Sequence, residues 1–241
     1  MTMPRVIRPL YWFVHAFVVA MLLRLRYVVR VSCHASELKR PAILAAKHLS
    51  YWDVPLLSRV VLEHWRLIPF FEMGTFEGYP FLGRIRPILR AVGGFEVMRG
   101  KDLLRLKARA KGDRQALKER MRRVNAAAST ARREILSNGG VYCFFPEGAR
   151  DPAALRPLRS KTEIQEGIQL ANDEDRDLWV HPVSLRRSTE PVGLLRRRIY
   201  FVEIFEAIPL RGAETANVLA AIGEALRSGA QVHRGTAHRT G

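Results

Sequence analysis

The sequence contains little cysteine. Only two of its 241 residues are cysteines, Cys33 and Cys143, and they are too far apart to form the short Cys-x-x-Cys spacing of a metal or redox site. Cys143 belongs to the apolar run 141–145, which favours a small buried side chain over a nucleophile. We therefore expect no metal site and no cofactor, and two free thiols fit a reducing compartment.

Acidic residues are also scarce. The chain has 23 Asp and Glu against 40 Lys and Arg, a net charge of +17. Hydrophobic residues make up 48% of it, which excludes a disordered basic chain. Such a charge attracts nucleic acid or anionic lipid headgroups. Because the sequence contains no recognisable nucleic-acid-binding module, we expect anionic membrane lipids as partners and no nucleic acid.

No apolar run is long enough to cross a bilayer comfortably. Residues 10–23 form an apolar stretch of 14 residues, whereas a span needs about 20. Arginines flank the stretch, and no small-x-small cleavage site of a signal peptide follows it. Aromatic residues with flanking arginines favour a helix in the headgroup layer; a buried core helix and a true span are the alternatives. We expect residues 1–35 to form a membrane-associating helical segment, peripheral or monotopic on the cytoplasmic face.

The remaining chain alternates short apolar runs with helical patterns. This alternation predicts an α/β domain over residues 36–227, with a layered mixed sheet, largely parallel, flanked by helices. A flexible tail is expected over 228–241. The predicted strands lie at 41–46, 68–71, 141–145, 178–185 and 198–204, and the predicted helices at 53–63, 99–134 and 217–227, with short helices and turns in 76–92.

The segment 99–134 is strongly basic. It carries 13 Lys and Arg against four acids and contains no proline, which predicts a long helix or a helix pair. Its charged face is either simply solvated or directed toward phospholipid.

His48 and Asp53 form the first candidate site. His48 follows an apolar strand, and Asp53 stands five residues later at a predicted helix start. If the loop between them is tight, the carboxylate bonds one imidazole nitrogen and fixes the tautomer. The other nitrogen can then take a proton from a hydroxyl group. On spacing alone, Asp53 could instead cap the helix.

A second candidate site follows the strand at 141–145. The segment 145–150 reads Phe-Pro-Glu-Gly-Ala-Arg, so that Glu147 and Arg150 flank Gly148 at a strand end, where open α/β folds place their sites. Glycine allows close backbone approach, and Arg150 can offer planar donors to a phosphate. The alternative is an ordinary turn with a local ion pair.

Four blocks of residues occur in a fixed order. His48-x4-Asp53 comes first, then 93–99 (Gly-Gly-Phe-Glu-Val-Met-Arg), then 145–150, then 180–183 (Val-His-Pro-Val). This order resembles the lysophospholipid and glycerophosphate acyltransferase family over roughly residues 40–205. The resemblance implies transfer of a fatty acyl group from acyl-CoA or acyl-carrier protein to the hydroxyl of 1-acylglycerol 3-phosphate, giving phosphatidic acid.

The resemblance also implies a role for each matching residue. His48 would be the general base and Asp53 its orienting partner. Arg99 would hold the phosphate of the acceptor, with further phosphate contacts from Arg150. Glu147 and Gly148 would shape the acceptor pocket, and Pro182 would serve donor binding or packing.

Three positions depart from the pattern of that family. Ala149 stands where Thr or Ser is usual, Glu166 lies in a stretch that is often rich in lysine, and Glu72 lies where a lysine is common. The departures leave the reaction type unchanged. They keep open another lysophospholipid or a lyso-ornithine lipid as acceptor. A basic membrane-binding module that has lost catalysis is a separate alternative, and the intact His48, Asp53, Glu147 and Arg150 argue against it.

Overall fold

The computed structural model describes residues 6–34, 37–75, 84, 86–100, 102, 104, 106, 114–148, 157–158, 161–193 and 196–231. Strands and helices alternate through most of this length, as the apolar patterns predict. The strands are β1 (Tyr27–Cys33), β2 (Ala42–Ala46), β3 (Phe70–Gly74), β4 (Gly94–Val97), β5 (Val141–Phe144), β6 (Trp179–Val192), β7 (Arg197–Ile204) and β8 (Ile208–Pro209). The helices are α1 (Arg8–Phe13), a π-helical stretch (Val14–Val19), α2 (Ala20–Arg26), α3 (Asp53–Trp65), α4 (Arg86–Ala91), α5 (Arg114–Ser137), α6 (Thr162–Asp173) and α7 (Thr215–Gln231).

All eight strands of the described chain join one mixed sheet. The order of seven of them is β1-β7-β6-β2-β5-β3-β4. The short strand β8 lies outside this order and pairs with the first two residues of β6. The pairs β6–β2, β2–β5, β5–β3 and β3–β4 are parallel, whereas β6 runs antiparallel to β7 and β8. The carboxyl ends of β2, β5, β3 and β4 therefore meet at one edge, where parallel α/β sheets carry their sites. The predicted fold, a layered mixed sheet flanked by helices, is confirmed.

The central strands are buried on both faces. In β2, Leu44 packs into the core under α3, and Ile43 packs into the core under α5, α6 and α7. Alternate side chains of a strand point to opposite faces, so β5 divides in the same way, with Cys143 on the α3 side and Tyr142 on the other. The buried position of Cys143 agrees with its interpretation as a small hydrophobic side chain.

The amino-terminal helical segment, which comprises α1, the π-helical stretch and α2, has two apolar faces. Tyr11, His15, Val19 and Leu23 are buried, at a spacing of four. Two residues further along the helix, the series Phe13, Phe17, Met21 and Leu25 is exposed. Since two residues correspond to about 200° of helix rotation, the two series lie on opposite faces.

The helical prediction for residues 1–35 is wrong at its end. The helix ends at Arg26, and Tyr27–Cys33 forms β1, which pairs in parallel with β7. The β-branched run Val28-Val29 and the available edge of β7 favour a strand here. None of the helices in the described residues is long and apolar enough to span a bilayer.

Two other boundaries move. The helix predicted for 217–227 continues to Gln231, so the expected tail from 228 begins in helix, and residues 232–241 lie outside the described part of the chain. In the basic segment 99–134, the 24-residue helix α5 begins at Arg114 and continues past the predicted end to Ser137, and residues 107–113 before it are also outside the described part. Of the predicted turn region 76–92, residues 76–83 are not described, and α4 follows them.

Candidate active site

His48 and Asp53 meet at the junction of β2 and α3. Asp53 is the first residue of α3 and is fully buried. Its Oδ2 atom lies 2.7 Å from Nδ1 of His48. The same oxygen accepts hydrogen bonds from the backbone N–H groups of Leu49 (2.6 Å) and Ser50 (2.8 Å). The tight loop expected from the spacing is therefore present, and the carboxylate is directed back to the imidazole.

The second oxygen of Asp53 is held by hydroxyl groups. The hydroxyl of Tyr200, on β7, donates a hydrogen bond to Oδ1, and Ser50 Oγ donates to the same atom at 3.2 Å. Burial, followed by the charge of Asp53, raises the pKa of Tyr200 well above its usual value, so the phenol stays protonated and remains a donor. Sequence reasoning missed Tyr200, because 147 residues separate it from Asp53.

The ring of His48 is held in place yet accessible. It stacks on Phe145 with 4.0 Å between ring centroids and 20° between planes. Its side chain is 18% exposed, whereas that of Asp53 is 0% exposed. Within the described residues, Nδ1 is the ring atom of His48 that makes a hydrogen bond. The Nε2 atom is thus left for a substrate.

Glu147 contacts the backbone of His48 and not its ring. Its side chain is fully buried; Oε1 accepts a hydrogen bond from the backbone N–H of His48 at 3.3 Å, and Oε2 lies 3.5 Å from Nζ of Lys47. These contacts tie the loop after β5 to the loop after β2. Glu147 thus lies next to the His48–Asp53 pair and contacts it through the backbone of His48. Its role in an acceptor pocket remains a prediction.

Arg99 and Gly148 are also brought to this edge. Nη1 of Arg99 lies 3.4 Å from the carbonyl oxygen of Gly148, and 26% of the Arg99 side chain is exposed. Gly148 has a φ of +65°, which favours glycine because a Cβ is strained there. Arg150 lies outside the described residues, so its predicted phosphate contact stays a prediction.

Pro182 lies inside the sheet. It is buried in β6 and opposite Ala45 of β2 in the pairing, and its carbonyl oxygen accepts a hydrogen bond from Phe205 N at 3.0 Å. Of the two roles considered, packing accounts for these contacts. Binding of the acyl donor stays a prediction.

The two unusual glutamates, Glu72 and Glu166, share one arginine. Arg132 of α5 donates through Nε (2.7 Å) and Nη2 (3.0 Å) to Glu166 and through Nη1 (2.9 Å) to Glu72. Arg132, on the basic helix α5, is therefore the cation that pairs with both glutamates. The part of the basic helix near Arg132 is thus an internal ion-pairing surface, a possibility that the sequence prediction did not include.

The arrangement can perform base chemistry on a hydroxyl group. A buried carboxylate fixes Nδ1 of His48 as the protonated nitrogen, which makes Nε2 the proton acceptor. Across the described residues, no group of three or more His, Cys, Asp and Glu side chains is arranged to hold a metal ion.

Comparisons with known proteins identify a similar fold and a family. The crystal structure of the 1-acyl-sn-glycerophosphate (LPA) acyltransferase PlsC from Thermotoga maritima is similar, with a TM-score of 0.59 and 17% identity; the match covers 97% of this chain and 80% of that one. At this identity the likeness shows the fold alone. A search of curated protein sequences finds no match. The model of the Acyltransferase family matches residues 27–186, a stretch that includes His48, Asp53, Arg99, Glu147 and Pro182, and the chain belongs to that family.

Proposed function

We propose that this protein transfers a fatty acyl group from acyl-CoA or acyl-carrier protein to the hydroxyl of a lysophospholipid, with 1-acylglycerol 3-phosphate as the leading acceptor and phosphatidic acid as its product. The contact of 2.7 Å between buried Asp53 and Nδ1 of His48, whose side chain is 18% exposed, carries the proposal. Membership of the Acyltransferase family supports acyl transfer. The similar fold of the LPA acyltransferase PlsC from Thermotoga maritima supports the class of acceptor.

The reaction follows from the geometry of the dyad. The acceptor hydroxyl lies at Nε2 of His48 and loses its proton as its oxygen attacks the thioester carbonyl. The new C–O bond forms, the C–S bond breaks, and the proton leaves with the thiolate or passes to water. Since a thiol has a pKa near 8.5, the leaving group needs little help. No acyl-enzyme is required, because the substrate hydroxyl takes the place that serine has in a triad.

Arg99 is the proposed contact for the acceptor phosphate. Its guanidinium is partly exposed at the same sheet edge as His48 and touches the loop of Gly148. A planar guanidinium can bind two phosphate oxygens at once. Arg150 adds a second cation in this proposal, while Glu147 and Gly148 set the shape of the loop between phosphate and base.

A second candidate keeps the chemistry and changes the acceptor. Glu72 and Glu163 line a cavity next to Arg99, and two of their carboxylate oxygens have no hydrogen-bond partner. Carboxylates repel a phosphate, so this observation favours another lysophospholipid or a lyso-ornithine lipid, in which a cationic group accompanies the acidic one.

We also propose that the exposed face of the amino-terminal helical segment docks on the cytoplasmic face of a membrane. The exposed side chains include two phenylalanines, Phe13 and Phe17, the latter 67% exposed. Arg24 and Arg26 at the end of the segment can meet anionic headgroups. Docking there would bring a lipid acceptor to the protein without a span.

The first test is acyl transfer in vesicles. Labelled acyl-CoA and acyl-carrier protein are each offered with 1-acylglycerol 3-phosphate, glycerol 3-phosphate, other lysophospholipids and a lyso-ornithine lipid. We expect His48→Ala to abolish transfer, and Asp53→Asn to lower kcat by about 10²- to 10⁴-fold, because the wrong tautomer is then favoured. His64→Ala, an exposed histidine of α3, is the matched control.

The outcomes separate the candidates. Turnover of 1-acylglycerol 3-phosphate that is lost in His48→Ala supports phosphatidic acid synthesis. Turnover of another acceptor alone keeps the mechanism and changes the substrate. A folded His48→Ala variant with most of its activity would contradict the mechanism, and no turnover with either donor would favour a non-catalytic membrane role.

A further inference from the structure

A cavity of about 160 Å³ lies beside Arg99, at the ends of β3 and β4. Helix α5 and the first turn of α6 close it. Its charged lining consists of three carboxylates and two guanidiniums, from Glu72, Glu163, Glu166, Arg99 and Arg132. With every group ionised, the described lining carries one excess negative charge.

The carboxylate oxygens are unequally satisfied. Arg132 donates to both oxygens of Glu166 and to Oε2 of Glu72. While both groups are ionised, Oε1 of Glu72 and Oε2 of Glu163 accept no hydrogen bond from the described residues, although these residues are only 2% and 9% exposed. Nη2 of Arg99 lies 3.8 Å from Oε1 of Glu72, close enough for an ion pair but too far for a hydrogen bond. Buried acceptors without partners are unfavourable, so a hydrogen-bond donor placed between these two oxygens would be stabilising.

A proton fills the place in the free protein. Burial, and then repulsion by Glu163, raise the pKa of Glu72 well above its usual value, and a side-chain hydrogen bond between the two carboxyl groups raises it further. The two groups therefore hold one proton between them. A cation with N–H donors can replace that proton. The carboxylates are not grouped to hold a metal ion, as far as the described residues show.

We propose that this cavity binds the primary ammonium of an acceptor headgroup, so that among lysophospholipids with a substituted phosphate the preferred acceptor carries a short aminoalkyl group. An ammonium has three N–H donors and one positive charge. It would donate to Oε1 of Glu72 and Oε2 of Glu163 and balance the excess charge. A hydroxyl headgroup lacks the charge, and a quaternary ammonium lacks the donors.

The position of the cavity matches such a headgroup, and here the inference rests on the proposed function. Arg99 lines the cavity and also contacts Gly148, next to the glutamate that holds the backbone of His48. Strand β5 separates β2 from β3, so the axes of the strands that carry the base and Glu72 lie about 10 Å apart. One acceptor molecule could therefore place its hydroxyl at His48, its phosphate at Arg99 and its ammonium in the cavity, in that order across the strand ends.

The test compares four acceptors with the same acyl chain: lysophosphatidic acid, lysophosphatidylethanolamine, lysophosphatidylcholine and lysophosphatidylglycerol. We expect kcat/KM for the ethanolamine lipid to exceed that for the glycerol and choline lipids by at least about tenfold. Glu163→Gln keeps the size of the side chain and should bring the ethanolamine-to-glycerol ratio close to one. Glu119→Gln, an exposed glutamate of α5, should retain the ratio of the wild type.

A measurement without a variant guards against loss of folding. Phosphoethanolamine should inhibit the wild-type enzyme at concentrations about tenfold lower than glycerol phosphate or inorganic phosphate. Equal kcat/KM values for the four acceptors, a choline lipid as good as the ethanolamine lipid, or a ratio unchanged in Glu163→Gln would overturn the inference and leave the acyltransferase proposal in place. If the wild type turns over none of the four lipids, both proposals fail together.

Discussion

At the residue scale, the buried carboxylate of Asp53 is surrounded by donors. Two backbone N–H groups and the imidazole meet Oδ2 of Asp53, and the hydroxyls of Ser50 and Tyr200 meet Oδ1. A buried carboxylate needs such a shell, because an unpaired charge away from water is costly. The shell also fixes the plane of the carboxylate and with it the direction of His48. If His48 is the base, Tyr200 is a positioning residue that acts through Asp53.

We predict that Tyr200→Phe lowers kcat by roughly tenfold or more while KM for the acyl donor changes little. A hydrogen bond to a charged group contributes about 1.5–3 kcal/mol, and its loss frees the carboxylate to rotate away from the imidazole. Steady-state kinetics measures the split between kcat and KM. Tyr142→Phe, which removes a buried hydroxyl from the other face of the sheet, is the control; a Tyr200→Phe enzyme with the kcat of that control would refute the role.

At the scale of the element, the amino-terminal helical segment has one face in the core and an opposite apolar face in solvent. Its buried series around His15 packs against the core, where Val19 and Leu23 belong to the cluster under α3. Its exposed series presents large apolar side chains to solvent. A contiguous apolar surface of this kind marks a site of interaction, and the arginines that follow favour an anionic membrane.

We predict that the triple change Phe13→Ser, Phe17→Ser and Leu25→Ser reduces binding to anionic vesicles by at least roughly tenfold. Each side chain would lose about 1.5–3 kcal/mol of apolar burial if it were fully inserted, whereas substitutions of exposed residues alter folding stability little. Vesicle sedimentation measures the bound fraction. Leu104→Ser, an exposed leucine outside the segment, should bind like the wild type; unchanged binding of the triple variant would exclude this face as the docking surface.

At the scale of the whole molecule, stability couples to pH through the docked helix. His15 is buried between the segment and α3, where burial, followed by the charge of Arg59, lowers its pKa from 6.5 to about 4. The unfolded chain therefore binds a proton on this residue below pH 6.5, and the folded chain does not until about pH 4. The contribution of His15 to folding stability must then fall as the pH is lowered through this window.

We predict a loss of up to about 3 kcal/mol in the free energy of unfolding between pH 6.5 and pH 4 from this group. Urea unfolding at a series of pH values measures it. His15→Gln should flatten the pH dependence, since glutamine does not titrate, and His64→Gln, at an exposed position, should leave it intact. Parallel curves for wild type and His15→Gln would show that His15 does not titrate in this way.

Much of the site could be predicted because its main contact is local. His48 and Asp53 are five residues apart across one strand–helix junction, so periodicity and a motif suffice to place them. The strand patterns of β2 and β5 were also readable, since strands buried on both faces form short continuous apolar runs. The end of the amino-terminal helix was misplaced, because Tyr27–Cys33 becomes a strand only beside β7, from a distant part of the chain.

By itself, the sequence determined the α/β class, the order of the main elements, the His48–Asp53 pair and the resemblance to an acyltransferase family, all of which depend on local pattern and composition. The tertiary structure alone decided that Tyr200 holds Asp53, that Arg132 satisfies both Glu72 and Glu166, and that Glu163 faces a cavity with an unpaired oxygen. Each of these contacts joins residues that are 34 or more positions apart or depends on burial. Such contacts follow from how strands and helices pack, and no local pattern in the chain encodes them.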